Sequence, residues 1–300
     1  MKQLRAFAFV LLLAPLFAFA QAAPAPHPEH PPGAAIASAH ALATEAGIEV
    51  IRQGGNAFDA AVAVSSVLSV VEPISSGLGG GGLWLLHDAK SGKDVFVDAR
   101  ETAPAAATEA MYLNADGSFN SDRAQNGPWS AGIPGLPAML VHVAEKYGRL
   151  PLKQSLQPAI RIARDGFPVY ARMERGYAAK RAVMDRYPGT RALFSPGGKP
   201  IREGDLFRQR DLANTLQLLA DKGFDGFYRG TVANKLVAGV NAQGGKWKAS
   251  ELAGYAVKER APIRFKYNAW DITTAPPVSS GGIALAQMLQ ILEPYDLARM

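Results

Sequence analysis

The sequence predicts an α+β fold richer in helix than in strand, on three observations. First, the stretch from Ala57 to Val71 is small or apolar on nearly every side. A helix apolar all round belongs inside a core, not on its surface. Second, Leu212, Leu216 and Leu219, then Val232, Leu236 and Val240, recur at helical spacing and run out at Gly223 and Gly244. Third, two pairs of short apolar runs flank turn residues. Residues 83–87 and 95–97 flank Lys90-Ser91-Gly92-Lys93, and 263–267 and 270–274 flank Asn268-Ala269, so each pair reads as a hairpin. With 300 residues, 48% of them hydrophobic, the chain can bury one large core or two smaller ones.

Taken in order, residues 1–20 read as an export signal. Lys2 and Arg5 give the positive start, 6–15 the apolar run, and Ala18-Phe19-Ala20 the cleavage motif before Gln21. The run is short for a membrane span and Pro15 interrupts it. A cleaved signal implies a periplasmic or secreted protein without stable membrane insertion. Cysteine is absent, which excludes disulfides, thiolate metal sites, a cysteine nucleophile and a cysteine-linked lipid anchor. Residues 21–32 are rich in proline and alanine and read as a disordered leader. His27 and His30 lie in it without the supporting groups a metal site needs, so no metal is expected. The ordered domain is expected over 33–300.

A helix should end after Ile51, with Gly54-Gly55 as its stop, since glycine takes the left-handed conformation that satisfies the last carbonyls. Asn56 then stands as N-cap of the next helix, and Asp59 sits in its first turn at the favourable end of the dipole. Glu72-Pro73 ends that helix. The run Gly79-Gly80-Gly81-Gly82 enters a strand and is not followed by Lys-Ser/Thr, so it indicates close backbone packing, not a phosphate cradle. Strand 83–87 is apolar enough to be buried on both faces. Residues 111–130 read as a long surface loop, and Pro137 as the first residue of a helix that faces Met139, Leu140, Val143 and Tyr147 inward. Ile160, Ile162 and Ala163 precede the helix stop Gly166, with Pro158 expected in that helix's first turn or at a kink. Residues 171–186 form a charged, exposed helix, and 283–292 the last one. The net charge of +6 is spread without an aromatic-interleaved basic run, so no nucleic-acid groove is indicated.

Several of these stretches, in this order, resemble the gamma-glutamyltransferase (gamma-glutamyltranspeptidase) family. They are Gly54-Gly55-Asn56-Ala57-Phe58-Asp59-Ala60-Ala61, the Gly79–Gly82 run, Asp98-Ala99-Arg100-Glu101-Thr102-Ala103-Pro104, Gly132-Ile133-Pro134-Gly135 and Gln157-Pro158-Ala159-Ile160. Tyr255, Arg260-Ala261-Pro262 and Pro276-Pro277-Val278-Ser279-Ser280-Gly281-Gly282 complete the series. The resemblance implies the N-terminal-nucleophile hydrolase fold, a four-layer αββα sandwich, here incomplete. It also implies an enzyme that moves a γ-glutamyl group from glutathione or a related donor to an amino acid, peptide or water, without a cofactor.

In that family the nucleophile is the N-terminal threonine that self-cleavage exposes on a small subunit, within Thr-x-His-x-x-Val, its own amine serving as base. No such segment occurs in residues 1–300, and Thr273-Thr274 lacks the histidine. No catalytic residue is therefore assigned in this chain, which is expected to be inactive alone and to need the small subunit as a heterodimer partner. Ser279-Ser280 lacks a nucleophile-elbow context. One site residue carries over: Arg100 matches the family arginine that grips the donor's α-carboxylate. A guanidinium suits that task because its planar fork binds a carboxylate bidentately and keeps its charge. On its residues alone, Arg100 reads as a strand-end arginine paired with Asp98 or Glu101. Two alternatives stand beside the transferase: a related acylase of the cephalosporin acylase kind, and a catalytically dead binding chain.

Overall fold

Residues 33–300 are described by the computed structural model; the expected signal peptide and leader lie outside them. The first half runs α1 (Ala41–Arg52), α2 (Ala57–Val71), β1 (Gly82–Asp88), β2 (Lys93–Ala99), α3 (Ser121–Gln125), α4 (Leu136–Tyr147), α5 (Leu152–Asp165), β3 (Phe167–Pro168), α6 (Ala171–Met184) and α7 (Pro188–Phe194). The second runs β4 (Leu206–Phe207), α8 (Arg210–Lys222), α9 (Phe224–Tyr228), α10 (Gly230–Ala242), α11 (Ala249–Ala253), β5 (Lys258–Arg260), β6 (Ile263–Tyr267), β7 (Trp270–Thr274) and α12 (Gly281–Leu292). The fold is α+β.

Helix α2 is the centre of the helical layer, packed against α1, α4 and α5, with α8 behind α5. Ala60, Val62, Ala63, Val67, Val70 and Val71 are all buried, as the apolar stretch predicts. The turn before it also forms as expected. Gly54 takes φ +94°. Asn56 Oδ1 accepts from the N–H groups of Phe58 (2.9 Å) and Asp59 (3.0 Å), and Asp59 returns a bond to the Asn56 N–H (2.8 Å), closing a reciprocal cap. Asp59 does more than complement the dipole. It is fully buried, and it also accepts from the N–H groups of Arg149 (2.9 Å) and Leu150 (3.3 Å), while Asn56 Nδ2 donates to the Tyr147 carbonyl (2.7 Å). The cap thus clips the α1–α2 corner to the α4–α5 corner.

One three-stranded antiparallel sheet has the order β1-β2-β5, and β6 pairs with β7 in a separate hairpin through the Asn268 turn. Helix α4 covers the sheet's inner face, its Met139 lying close to Gly82. The expectation that β1 is buried on both faces fails. Leu86 is buried, but Leu85, on the other face, is 44% exposed, because that outer face is covered only in part. That partial cover comes from the β6–β7 hairpin, where Arg264 Nη2 meets Asp94 Oδ2 at 2.7 Å.

Three smaller expectations shift. Pro137 is the second residue of α4, not the first. Pro158 lies inside α5, which begins at Leu152, so it is past the first turn. The 111–130 loop contains α3 and a Leu113–Phe119 bridge. Among the described residues no helix is long and apolar enough to cross a membrane.

Candidate functional site

Arg100 leaves the end of β2 at the point where the motif glycines converge. A side chain on Gly81 would strike the Ala99 carbonyl and the Glu101 N–H; one on Gly132 would meet Glu101 Cβ and one on Gly135 the Ala99 carbonyl. Two segments distant in sequence, 79–82 and 132–135, therefore crowd residues 99–102, and only hydrogen at Cα leaves room. Hydrogen bonds lock the layers together. Gly80 O accepts from the N–H groups of Gly135 (2.9 Å) and Leu136 (2.9 Å), and Thr102 and Ile133 exchange a pair at 2.8 and 3.2 Å. The close packing read from the glycine run is what the structure shows.

The two acids flanking Arg100 divide their work. Asp98 is buried; its Oδ1 accepts from the Arg100 N–H (3.0 Å), but its ion pair is with Arg260, whose Nη2 lies 2.8 Å from Oδ2. It supports Arg100 through the backbone. Glu101 Oε2 lies 3.6 Å from Arg100 Nε, with side chains 35% and 61% exposed. Exposed pairs of this kind contribute about 0–1 kcal/mol. The strand-end salt bridge therefore uses little of the guanidinium's bonding capacity.

Beside Arg100 opens a cavity of about 580 Å³, walled by Glu101, Thr102, Met111, Tyr112, Trp129 and Gly132 among others. A second hollow of about 500 Å³, bounded by Ser75, Ser76, Trp84 and Leu136, shares Gly79 and Glu101 with it. A long cation at the edge of a partly apolar cavity can hold a small carboxylate. Neither cavity contains a threonine with an adjacent histidine. Thr273, passed over as a nucleophile, points its hydroxyl toward Asp94 (3.4 Å) on the sheet's outer face. Ser279 Oγ accepts from the Gly281 N–H (3.2 Å), a turn contact.

Sequence reasoning marked Tyr255 and Arg260 as motif residues without roles; both bear on Arg100. Tyr228, buried beside Tyr255, was not marked, and its only local signal is the aromatic cluster Phe224-Asp-Gly-Phe-Tyr.

Comparison with known proteins gives the chain its family. The Gamma-glutamyltranspeptidase family model matches residues 43–300. The Glutathione hydrolase proenzyme of Escherichia coli (strain K12) is 36% identical over 303 residues, covering 96% of this chain and 52% of that protein. The crystal structure of Helicobacter pylori gamma-glutamyltranspeptidase superposes with a TM-score of 0.86 at 37% identity, over 91% of this chain and 78% of that one. Acylase ACY 1 proenzyme of Pseudomonas sp. (strain SE83) is 36% identical over 88% of this chain and 48% of its own length. The chain spans about half the length of these full-length relatives.

Proposed function

Because the chain belongs to the gamma-glutamyltranspeptidase family, we propose that residues 33–300 form the large-subunit side of an exported gamma-glutamyltransferase. The assembled enzyme takes a γ-glutamyl group from glutathione or a related donor and passes it to an amino acid, peptide or water. Arg100 binds the donor's α-carboxylate. The acyl-enzyme forms on a threonine of a partner segment carrying Thr-x-His-x-x-Val, which residues 1–300 do not contain. The observation that supports this reading is the geometry at Arg100: a main chain held at both its N–H and its C=O, with a guanidinium whose ion pair among the described residues is a 3.6 Å contact beside an open cavity.

An acylase is the second reading, favoured by the match to Acylase ACY 1 proenzyme. One kinetic cycle separates the two. In the enzyme assembled with its threonine segment, Arg100→Ala should lower kcat/KM for a γ-glutamyl anilide roughly thirty- to several-thousand-fold, the 2–5 kcal/mol cost of breaking a desolvated charge pair. Arg100→Lys should recover only part, since an ammonium keeps the charge but loses the fork. A donor lacking the α-carboxylate should react poorly with the wild type and lose little more with the variant. Equal losses on both donors would mean that Arg100 does not touch the carboxylate. Self-cleavage, followed by gel, should persist in both variants. Export completes the proposal: mass analysis of the secreted protein should place its N-terminus at or near Gln21, and a retained Met1 would remove the signal peptide from the scheme.

A further inference from the structure

Arg100 is held less by its own side chain than by a stack of aromatic rings behind its main chain. Phe224 and Tyr228 stack with centroids 4.3 Å apart and planes 11° apart; Tyr255 continues the stack on Tyr228 at 5.6 Å and 13°. Both phenols end on backbone of the site. Tyr228 Oη donates to the Pro134 carbonyl (2.7 Å) and accepts from the Ala138 N–H (3.2 Å), fastening the Gly132–Gly135 strap. Tyr255 Oη donates to the Arg100 carbonyl at 2.9 Å. Burial raises both phenols well above their ordinary range, with Asp98 and Glu101 adding to the effect at Tyr255, so each stays a proton donor at working pH. From the other side Asp98 holds the Arg100 N–H. The N–H and C=O of one residue are thus each held by a buried side chain, which fixes the direction of its Cα–Cβ bond. A flexible arginine that is 61% exposed has little else to aim it.

We infer that Tyr255, seated on Tyr228, is a positioning residue for the carboxylate site: it fixes the backbone from which Arg100 reaches a carboxylate-bearing donor. The inference rests on Arg100 binding that carboxylate. Tyr255 acts through Arg100 and is assigned no contact with the donor. Removing its hydroxyl takes the hydrogen bond from the Arg100 carbonyl and frees the peptide plane after Arg100. The loss then falls on binding of the carboxylate and not on the bond-making step.

The test uses the assembled enzyme and Tyr255→Phe, which keeps the ring stack. Steady-state kinetics are measured with γ-glutamyl-p-nitroanilide and with 4-aminobutyryl-p-nitroanilide, the same donor without its α-carboxylate. Loss of one net hydrogen bond corresponds to about a 2- to 12-fold rise in KM for the γ-glutamyl donor. The kcat should change by less than about 2-fold and the decarboxylated donor should be unaffected, because neither senses the aim of Arg100. In an Arg100→Ala background Tyr255→Phe should cost almost nothing more, the signature of two residues acting through one contact. Equal KM changes on both donors, or full additivity with Arg100→Ala, overturn the inference and leave Tyr255 as core packing. Failure of Arg100→Ala to distinguish the donors would instead overturn the underlying reading, and that variant alone reveals it. If Tyr255→Phe does not accumulate, Tyr228→Phe carries the same test through the Pro134 tether; a donor-selective KM rise supports the inference and its absence overturns it.

Discussion

Replacing Gly135 with alanine drives a methyl group into the Ala99 carbonyl, although the glycine's φ of −114° is open to any residue. The requirement there is space. Overpacking of this kind costs about 1–3 kcal/mol, so Gly135→Ala should lower the urea midpoint and raise KM for carboxylate-bearing donors. Gly239 is the contrast: it lies inside α10 with nothing near its missing side chain. Gly239→Ala should stabilise by about 0.5–1 kcal/mol through backbone entropy. If both variants shift the midpoint alike, crowding at 99–102 is not what those motif glycines serve. Asp59 makes a harsher case. Asp59→Ala strips three backbone N–H groups of a buried carboxylate acceptor and should cost about 2–4 kcal/mol. Urea unfolding measures it, and a loss under about 1 kcal/mol would mean water replaces the carboxylate.

Among the elements, α4 and β5 are joined by a polar cluster that makes stability depend on pH. Glu259 on β5 receives Lys146 Nζ (2.6 Å), Tyr147 Oη (2.6 Å) and His142 Nε2 (2.8 Å). Partial burial opposes its charge, but hydrogen bonds from Lys146, Tyr147 and His142 outweigh that and hold the carboxyl down to about 2. The folded value lies below the unfolded one, so this stabilisation is complete above the ordinary glutamate range near 4.3 and fades as pH falls toward about 2. Glu259→Gln should flatten the acid limb of a Tm–pH profile in that window; an unchanged limb would show that the cluster contributes nothing. The helix caps and hairpins were legible in the sequence because their information is local: Asn56 and Asp59 are three residues apart, and the Asn268 turn is two residues long. Burial of β1 was not. A run of Gly-Leu-Trp-Leu-Leu looks the same whether one face or two are covered, and what packs on each face decides that. Arg100 was found through its motif, with Asp98 and Glu101 beside it, but the distant Tyr255 and Arg260 were not linked to it, since no local period joins residue 98 to 260 or 100 to 255.

For the molecule as a whole, the surface left uncovered is informative. Leu85 on the sheet and Ile283, Met288, Ile291 and Leu292 on α12 are exposed apolar residues. Edges and apolar faces of this kind promote association. Residues 33–300 expressed alone should release no product from a γ-glutamyl anilide and should aggregate on concentration, checked by assay and light scattering. Turnover by a soluble 33–300 chain would refute the division of labour between this chain and a threonine-bearing segment. The clamp on Arg100 also bears on the order of folding. Its two side-chain tethers close loops of 155 residues, from Arg100 to Tyr255, and 162 residues, from Asp98 to Arg260. Closing loops of that length is slow compared with forming helices or hairpins. A chain emerging from the ribosome would present α1, α2 and the β1–β2 hairpin long before Arg100 is aimed. On the proposed role of Arg100, competence to recognise donor is then a late event, and added ligand should stabilise only chains that have already brought their distant ends together.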